Sequence, residues 1–208
     1  LTALNMIYAA IKLEEPPRHH HIDEPKTSIL THRPIMKLCV LFFVFTVGVS
    51  QLESIFAFFM MDRFHYDAMH VGYILALMAL VMITIQGGLI RTLTKKYGEP
   101  LLLICGVLIL AVSFFFIPNV PTVPLLLLPL LFAGVGRALS QPSLFSLVSK
   151  KSPPHMRGTV MGTFQASASL GRVVGPAVAG ALYDHWQPAP FYLAAVLLAA
   201  VFLLATTL

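Results

Sequence analysis

The chain has 208 residues, of which 57% are hydrophobic and 11% charged, with a mean hydropathy of +0.82. Globular domains carry about 25% charged residues, so the balance excludes an ordinary soluble enzyme and points to a membrane protein. The net charge of +5 could suit nucleic acid, but its placement along the chain argues against that partner.

Read from the amino end, Leu1–Ile11 resembles the end of a spanning segment, cut short. The segment 12–34 is polar, carries Pro16, Pro17 and Pro25, and reads as a linker. Its His19, His20, His21 and His32 are read as solvated loop residues, and no metal site is expected. A bilayer crossing needs about 20 apolar residues. Five runs qualify: Ile35–Met61, His70–Ile90, Pro100–Ile117, Pro124–Ser149 and Gly158–Tyr183. A sixth, Pro190–Leu208, is just long enough. Cys39 and Cys105 lie in different runs without metal-ligand spacing and are expected to be buried thiols.

Eleven of the 14 Lys/Arg fall in the linker and in the connections after the second and fourth full spans. These are Lys12 to Lys37, then Arg91, Lys95 and Lys96, then Lys150, Lys151 and Arg157. The opposite connections hold only Arg63. The positive-inside rule makes the rich side cytoplasmic, and the cell membrane is the expected location.

Arg137 and Arg172 remain, both inside spans, with Glu53 the one acid within an apolar run. Charges at that depth are costly, so they must face partners or a water-filled path. They sit on polar stripes at helical spacing: Thr46, Ser50 and Glu53; Gly134, Arg137 and Gln141; Gln165, Ser169 and Arg172. At 1.5 Å per residue, Arg137 and Arg172 lie about 18 and 21 Å into their spans, and Glu53 about 26 Å. Glu53 therefore reads either as a proton or cation site with an arginine beside it or as a structural ion pair. The spans Pro100–Ile117 and Pro190–Leu208 are apolar all round and are expected at the periphery, facing lipid.

Glycines mark the last polar span. Gly158, Gly162 and Ala166 form one small face, and Ser167, Gly171 and Gly175 another. With Pro176 and Gly180 following, a local break in the helix is expected.

The stretch Gln86-Gly87-Gly88-Leu89-Ile90-Arg91-Thr92-Leu93-Thr94-Lys95-Lys96-Tyr97-Gly98-Glu99 resembles the loop between spans eight and nine of the major facilitator superfamily. Ser140-Gln141-Pro142-Ser143, then Ser149 to Gly158 and Gly162, resembles its span-ten to span-eleven region, and Gly171 to Asp184 the end of span eleven. The likeness is closest to drug:proton antiporters of the tetracycline-efflux type. Arg91 stands near where the family's loop motif usually has an Asp.

The resemblance implies an all-α, polytopic membrane protein, with a six-helix bundle over 35–208 forming the second half of a twelve-helix fold. It implies residues 1–11 as the end of span six, 12–34 as the central cytoplasmic linker, and a missing six-helix amino-terminal half as partner. It implies alternating access, with Gly87, Gly88, Arg91, Gly98, Gly171, Gly175, Pro176 and Gly180 as conformational positions. Thr46, Ser50, Arg137, Gln141, Gln165, Ser169 and Arg172 become cavity-lining candidates, and Glu53 the coupling candidate.

The expected activity is proton-coupled efflux of small amphipathic compounds, without cofactor, in contact with substrate, protons and the lipid bilayer. A nutrient symporter of the same fold is the alternative, and a non-transporting scaffold or sensor the reading from another class. No G-x-x-x-x-G-K-[ST] loop and no catalytic constellation is present, so neither ATP hydrolysis nor enzymatic activity is expected.

Overall fold

In the computed structural model, residues 33–207 and Tyr8 are described. Apart from Tyr8, the segment 1–11 lies outside them, as do nearly all of the 12–34 linker and its histidines. Helix α1, Arg33–Phe64, opens with Pro34 in its first turn, where a missing N–H costs nothing. It therefore starts two residues before the expected limit. His65 adopts a left-handed φ of 55° and reverses the chain, with its N–H on the Met61 carbonyl and that of Tyr66 on Met60.

Asp67 then caps α2, Ala68–Thr84, by accepting the His70 N–H at 3.0 Å. The rod does not end at Ile90. A π-helical turn, Ile85–Leu89, carries it into α3, Ile90–Tyr97. Arg91, Lys95 and Lys96 are thus on a helix and not in a loop, because no breaker intervenes before Gly98. Gly98 ends the rod with φ 78°, a value that favours glycine. The remaining helices are α4 (Glu99–Phe116), α5 (Val123–Lys151), α6 (Arg157–His185) and α7 (Ala189–Ala205). Among the described residues there is no strand.

Among the described residues, four rods are long and apolar enough to cross a bilayer by length and composition: Arg33–Phe64, Ala68–Tyr97, Glu99–Asn119 and Val123–Lys151. Helix α6 has the length, at 29 residues, but carries more polar side chains; α7 has 17 residues. The expected break at Gly175-Pro176 does not occur: α6 runs through Pro176 as one helix. The departure from α geometry is instead at Gly87-Gly88, within the π turn.

Two pairs of helices approach to backbone contact. Helix α6 lies along α1, where a Cβ on Gly171 would stand 3.0 Å from the Phe43 carbonyl and one on Gly175 3.0 Å from that of Val47. Helix α4 crosses α5 at Gly106 and Gly136, where a Cβ on Gly136 would stand 2.6 Å from the Gly106 carbonyl. Only glycine permits either crossing. Helix α7 packs against both α1 and α4. Phe42 stacks on Phe164 with centroids 4.1 Å apart, and Phe145 meets both edge-on, tying α1, α5 and α6 together.

The expected periphery is only partly found. Helix α4 does expose Leu101, Leu108, Val112, Phe115 and Phe116, but its other face is core. The most exposed rod is Ala68–Tyr97, which packs chiefly on α5. Cys39 is buried as expected, whereas Cys105 is exposed on the outward face of α4. Gly158, Gly162 and Gly180 have open space where a Cβ would point, so the face expected at Gly158 and Gly162 makes no helix contact among the described residues. On α6 the close approach is at Gly171 and Gly175.

Candidate functional site

Helix α1 turns Thr46, Ser50 and Glu53 toward α5 and α6, as their spacing requires. They line a cleft of about 30 Å³ together with Phe42, Phe45, Val49, Arg137, Gln141 and Arg172. That is about the volume of one water molecule. Three separate helices thus converge on one polar spot inside an apolar bundle.

The central contact is between α5 and α1: Arg137 Nη1 donates to Glu53 Oε1. The two side chains keep 29% and 46% of their surface exposed, so the pair is open on one side. Arg137 Nε is buried and has no hydrogen-bond partner among the described residues.

Arg172 reaches the same cleft but not Glu53; its Nη2 donates to Ser169 Oγ, 3.3 Å away on its own helix. The cleft therefore holds two guanidiniums and one carboxylate.

The hydroxyls are less free than the stripes suggest. Thr46 Oγ1 donates to the Phe42 carbonyl at 2.7 Å. Ser50 Oγ donates to Val47 at 3.1 Å and lies 3.5 Å from the Gly171 carbonyl. Each keeps only acceptor capacity toward the cleft. Gln141 lines it, Ser169 meets it through Arg172, and Gln165 is exposed outside it. Of the glycine positions, Gly171 and Gly175 hold α6 against the same stripe of α1. Gly87, Gly88, Arg91, Gly98, Pro176 and Gly180 lie outside the cleft lining.

Sequence reasoning missed Gln51. It is fully buried, and among the described residues neither its amide nitrogen nor its oxygen has a partner. It follows Ser50 directly, so helical geometry turns it off the stripe and into the core. It also missed the ties at the Arg63 end of the bundle. Arg63 donates to the Pro118 and Val120 carbonyls at 2.5 and 3.3 Å, and the Tyr183 hydroxyl donates to Asp62 at 2.8 Å. Arg63 is therefore occupied in capping the loop between α4 and α5.

The profile of the Major Facilitator Superfamily matches residues 1–176 and again 92–208. The chain belongs to this superfamily. It is 28% identical to mouse major facilitator superfamily domain-containing protein 10 over 87% of its own length and 37% of that protein. It is 25% identical to multidrug resistance protein 1 of Bacillus subtilis over 68% of its length and 36% of that protein.

Among solved structures it resembles the human organic anion transporter MFSD10 (TETRAN), with a TM-score of 0.79 and 30% identity. That likeness covers 88% of this chain and 42% of the other. The chain thus spans about a third of the length of the curated relatives it matches. Its apolar helices and its family make it an integral, multi-pass membrane protein.

Proposed function

We propose that this chain is the carboxyl-terminal, six-helix part of a secondary transporter that moves small amphipathic compounds by alternating access, coupled to protons through Glu53. In this reading residues 1–11 close span six and 12–34 form the cytoplasmic linker. The remainder, from 35, faces an amino-terminal six-helix half across the substrate path, in the cell membrane with the Lys/Arg-rich ends inside. Relatives about twice as long as this chain, one named for multidrug resistance, support the reading. The tetracycline-like resemblance belongs to the same proposal.

The observation that carries it is the Glu53–Arg137 pair in an open cleft shared with Arg172. Arginine keeps its charge at any working pH, so the carboxylate is the member of the pair that can exchange a proton. A proton on Glu53 would weaken its hold on Arg137 and free that guanidinium for substrate. Loss of the proton would restore the pair and expel what had replaced it. Phe42, Phe45 and Val49 supply the apolar wall that an amphipathic compound needs.

The test uses the full-length protein in proteoliposomes. Glu53→Gln should abolish flux driven by a pH gradient while sparing counterflow exchange of substrate. Unchanged proton coupling in a well-folded Glu53→Gln protein would overturn the assignment.

A second reading concerns the sign of the substrate. Arg172 has a neutral hydroxyl as its bond partner, and Arg137 Nε is unpartnered, so the cleft carries one more positive charge than Glu53 balances. That excess favours a monoanion, in keeping with the name of the human structural relative. Arg172→Gln should raise KM for an anionic test substrate well above its effect on a neutral one. An equal effect on both would count against the anion reading.

A further inference from the structure

A second, larger groove shares no lining residue with the Glu53 cleft. It has a volume of about 300 Å³ and is lined by Arg33, Met36, Lys37, Val40 and Leu41 of α1, with Leu204 of α7 and Thr207 just beyond it. The amino end of α1 and the carboxyl end of α7 meet there, at the end of the bundle opposite Arg63.

The groove is two-sided in chemistry. Arg33 and Lys37 are one helical turn apart, exposed, and on the same face of α1. Among the described residues no carboxylate pairs with either. Below them along the helix axis come Val40 and Leu204, both exposed and apolar. The opposing dipole of α7 is blunted, because Thr206 and Thr207 donate their hydroxyls to the Leu203 and Leu204 carbonyls at 2.7 and 2.8 Å.

A ligand for this place needs a negative head at the membrane boundary and an apolar body running into it. We propose that the groove is a binding site for an anionic phospholipid. Its phosphate lies on Arg33 and Lys37, and an acyl chain runs along Val40, Leu41 and Leu204. Free phosphate satisfies only the upper half of the site, and a neutral phospholipid lacks the excess charge. Basic pockets between membrane helices bind anionic headgroups on this principle. The proposal is independent of the transport reading, because it uses no residue of the Glu53 cleft.

The test reconstitutes the full-length protein in nanodiscs of phosphatidylcholine with a minor share of phosphatidylglycerol. Lipids retained through purification are then quantified by native mass spectrometry. Wild type should enrich phosphatidylglycerol. Replacing one basic residue should cut the enrichment about fivefold, and Arg33→Gln with Lys37→Gln roughly 25- to 30-fold. Val40→Trp, which fills the groove without touching the charges, should also lower it. Lys95→Gln with Lys96→Gln, which removes two charges elsewhere, should leave it unchanged.

All these positions are exposed, and gel filtration checks that each variant is monodisperse. The proposal fails if wild type shows no enrichment or if the Arg33/Lys37 variant enriches like wild type. It fails if Val40→Trp has no effect or if the Lys95/Lys96 variant loses as much, since charge would then act diffusely. Displacement of the lipid by inorganic phosphate at low concentration would reassign the groove to free anions and also overturn it.

Discussion

The most apolar 18-residue stretches of helix α1 and of the rod Ala68–Tyr97 have nearly the same mean hydropathy, 2.0 and 2.2, yet opposite surroundings. In α1, 72% of the most apolar stretch is buried against other helices; in the second rod the share is 17%. Hydropathy reports what a helix can cross, because lipid and protein core are equally apolar. It does not report which of the two the helix touches. The difference lies in the partners. Helix α1 meets glycines of α6 and the stacked ring of Phe164, and most of its apolar stretch is covered. The second rod has Gly72, Gly87 and Gly88 with open space around them, and it presents Met69, Tyr73, Leu80 and Ile83 outward.

The largest expected effect comes from breaking the α1–α6 seam. Gly175→Leu should cost about 4 kcal/mol or more, because the new side chain must enter space held by Ser50 and the Val47 carbonyl. Gly180→Leu, on the same helix but in open space, should stay within about 0.5 kcal/mol. Unfolding in mixed micelles measures both, and similar losses would show that the seam is not what distinguishes α1. Next comes Phe164→Ala, which removes the ring stacked on Phe42 at zero exposure and should cost about 3–5 kcal/mol in the same assay. Tyr73→Ala on the exposed rod should cost far less.

A gain is expected at Gln51. Replacing it with leucine, close in volume, removes two unpartnered buried polar atoms and should stabilise the protein by about 1–3 kcal/mol. A loss on Gln51→Leu would mean that the amide is satisfied in the membrane by a group outside the described residues. Gly87→Ala should be mildly stabilising, by about 0.5–1 kcal/mol, since no atom crowds the site and alanine favours helix.

The smallest effect concerns the start of the exposed rod. The His70 backbone N–H, and secondly its ring, hold the Asp67 carboxyl below its ordinary value of 3.8. A depressed carboxyl stabilises the folded state fully above its unfolded value and loses that contribution as pH falls through the folded one. Amide exchange at Met69 to Val71 should therefore stay constant around neutrality, once corrected for intrinsic rates, and accelerate only below about pH 4. Acceleration already at neutral pH would show that the cap does not hold α2.

The sequence by itself determined the number of apolar runs, to within a few residues at most of their ends, and the stripe Thr46, Ser50, Glu53. Both follow from local periodicity: a charge or hydroxyl at a given helical position must face away from lipid whatever the neighbours are. It also narrowed the partner of Glu53 to two arginines of similar depth. Tertiary structure decided between them, pairing Glu53 with Arg137 and leaving Arg172 on Ser169, because one-turn offsets in depth and rotation lie below what counting residues resolves. It decided which glycines matter as well. Gly158, Gly171, Gly175 and Gly180 look alike along the chain, and only the crossing of α6 over α1 separates those in backbone contact from those in the open. Gln51 belongs to the same class: its burial is a property of the seam between helices, which no single helix encodes.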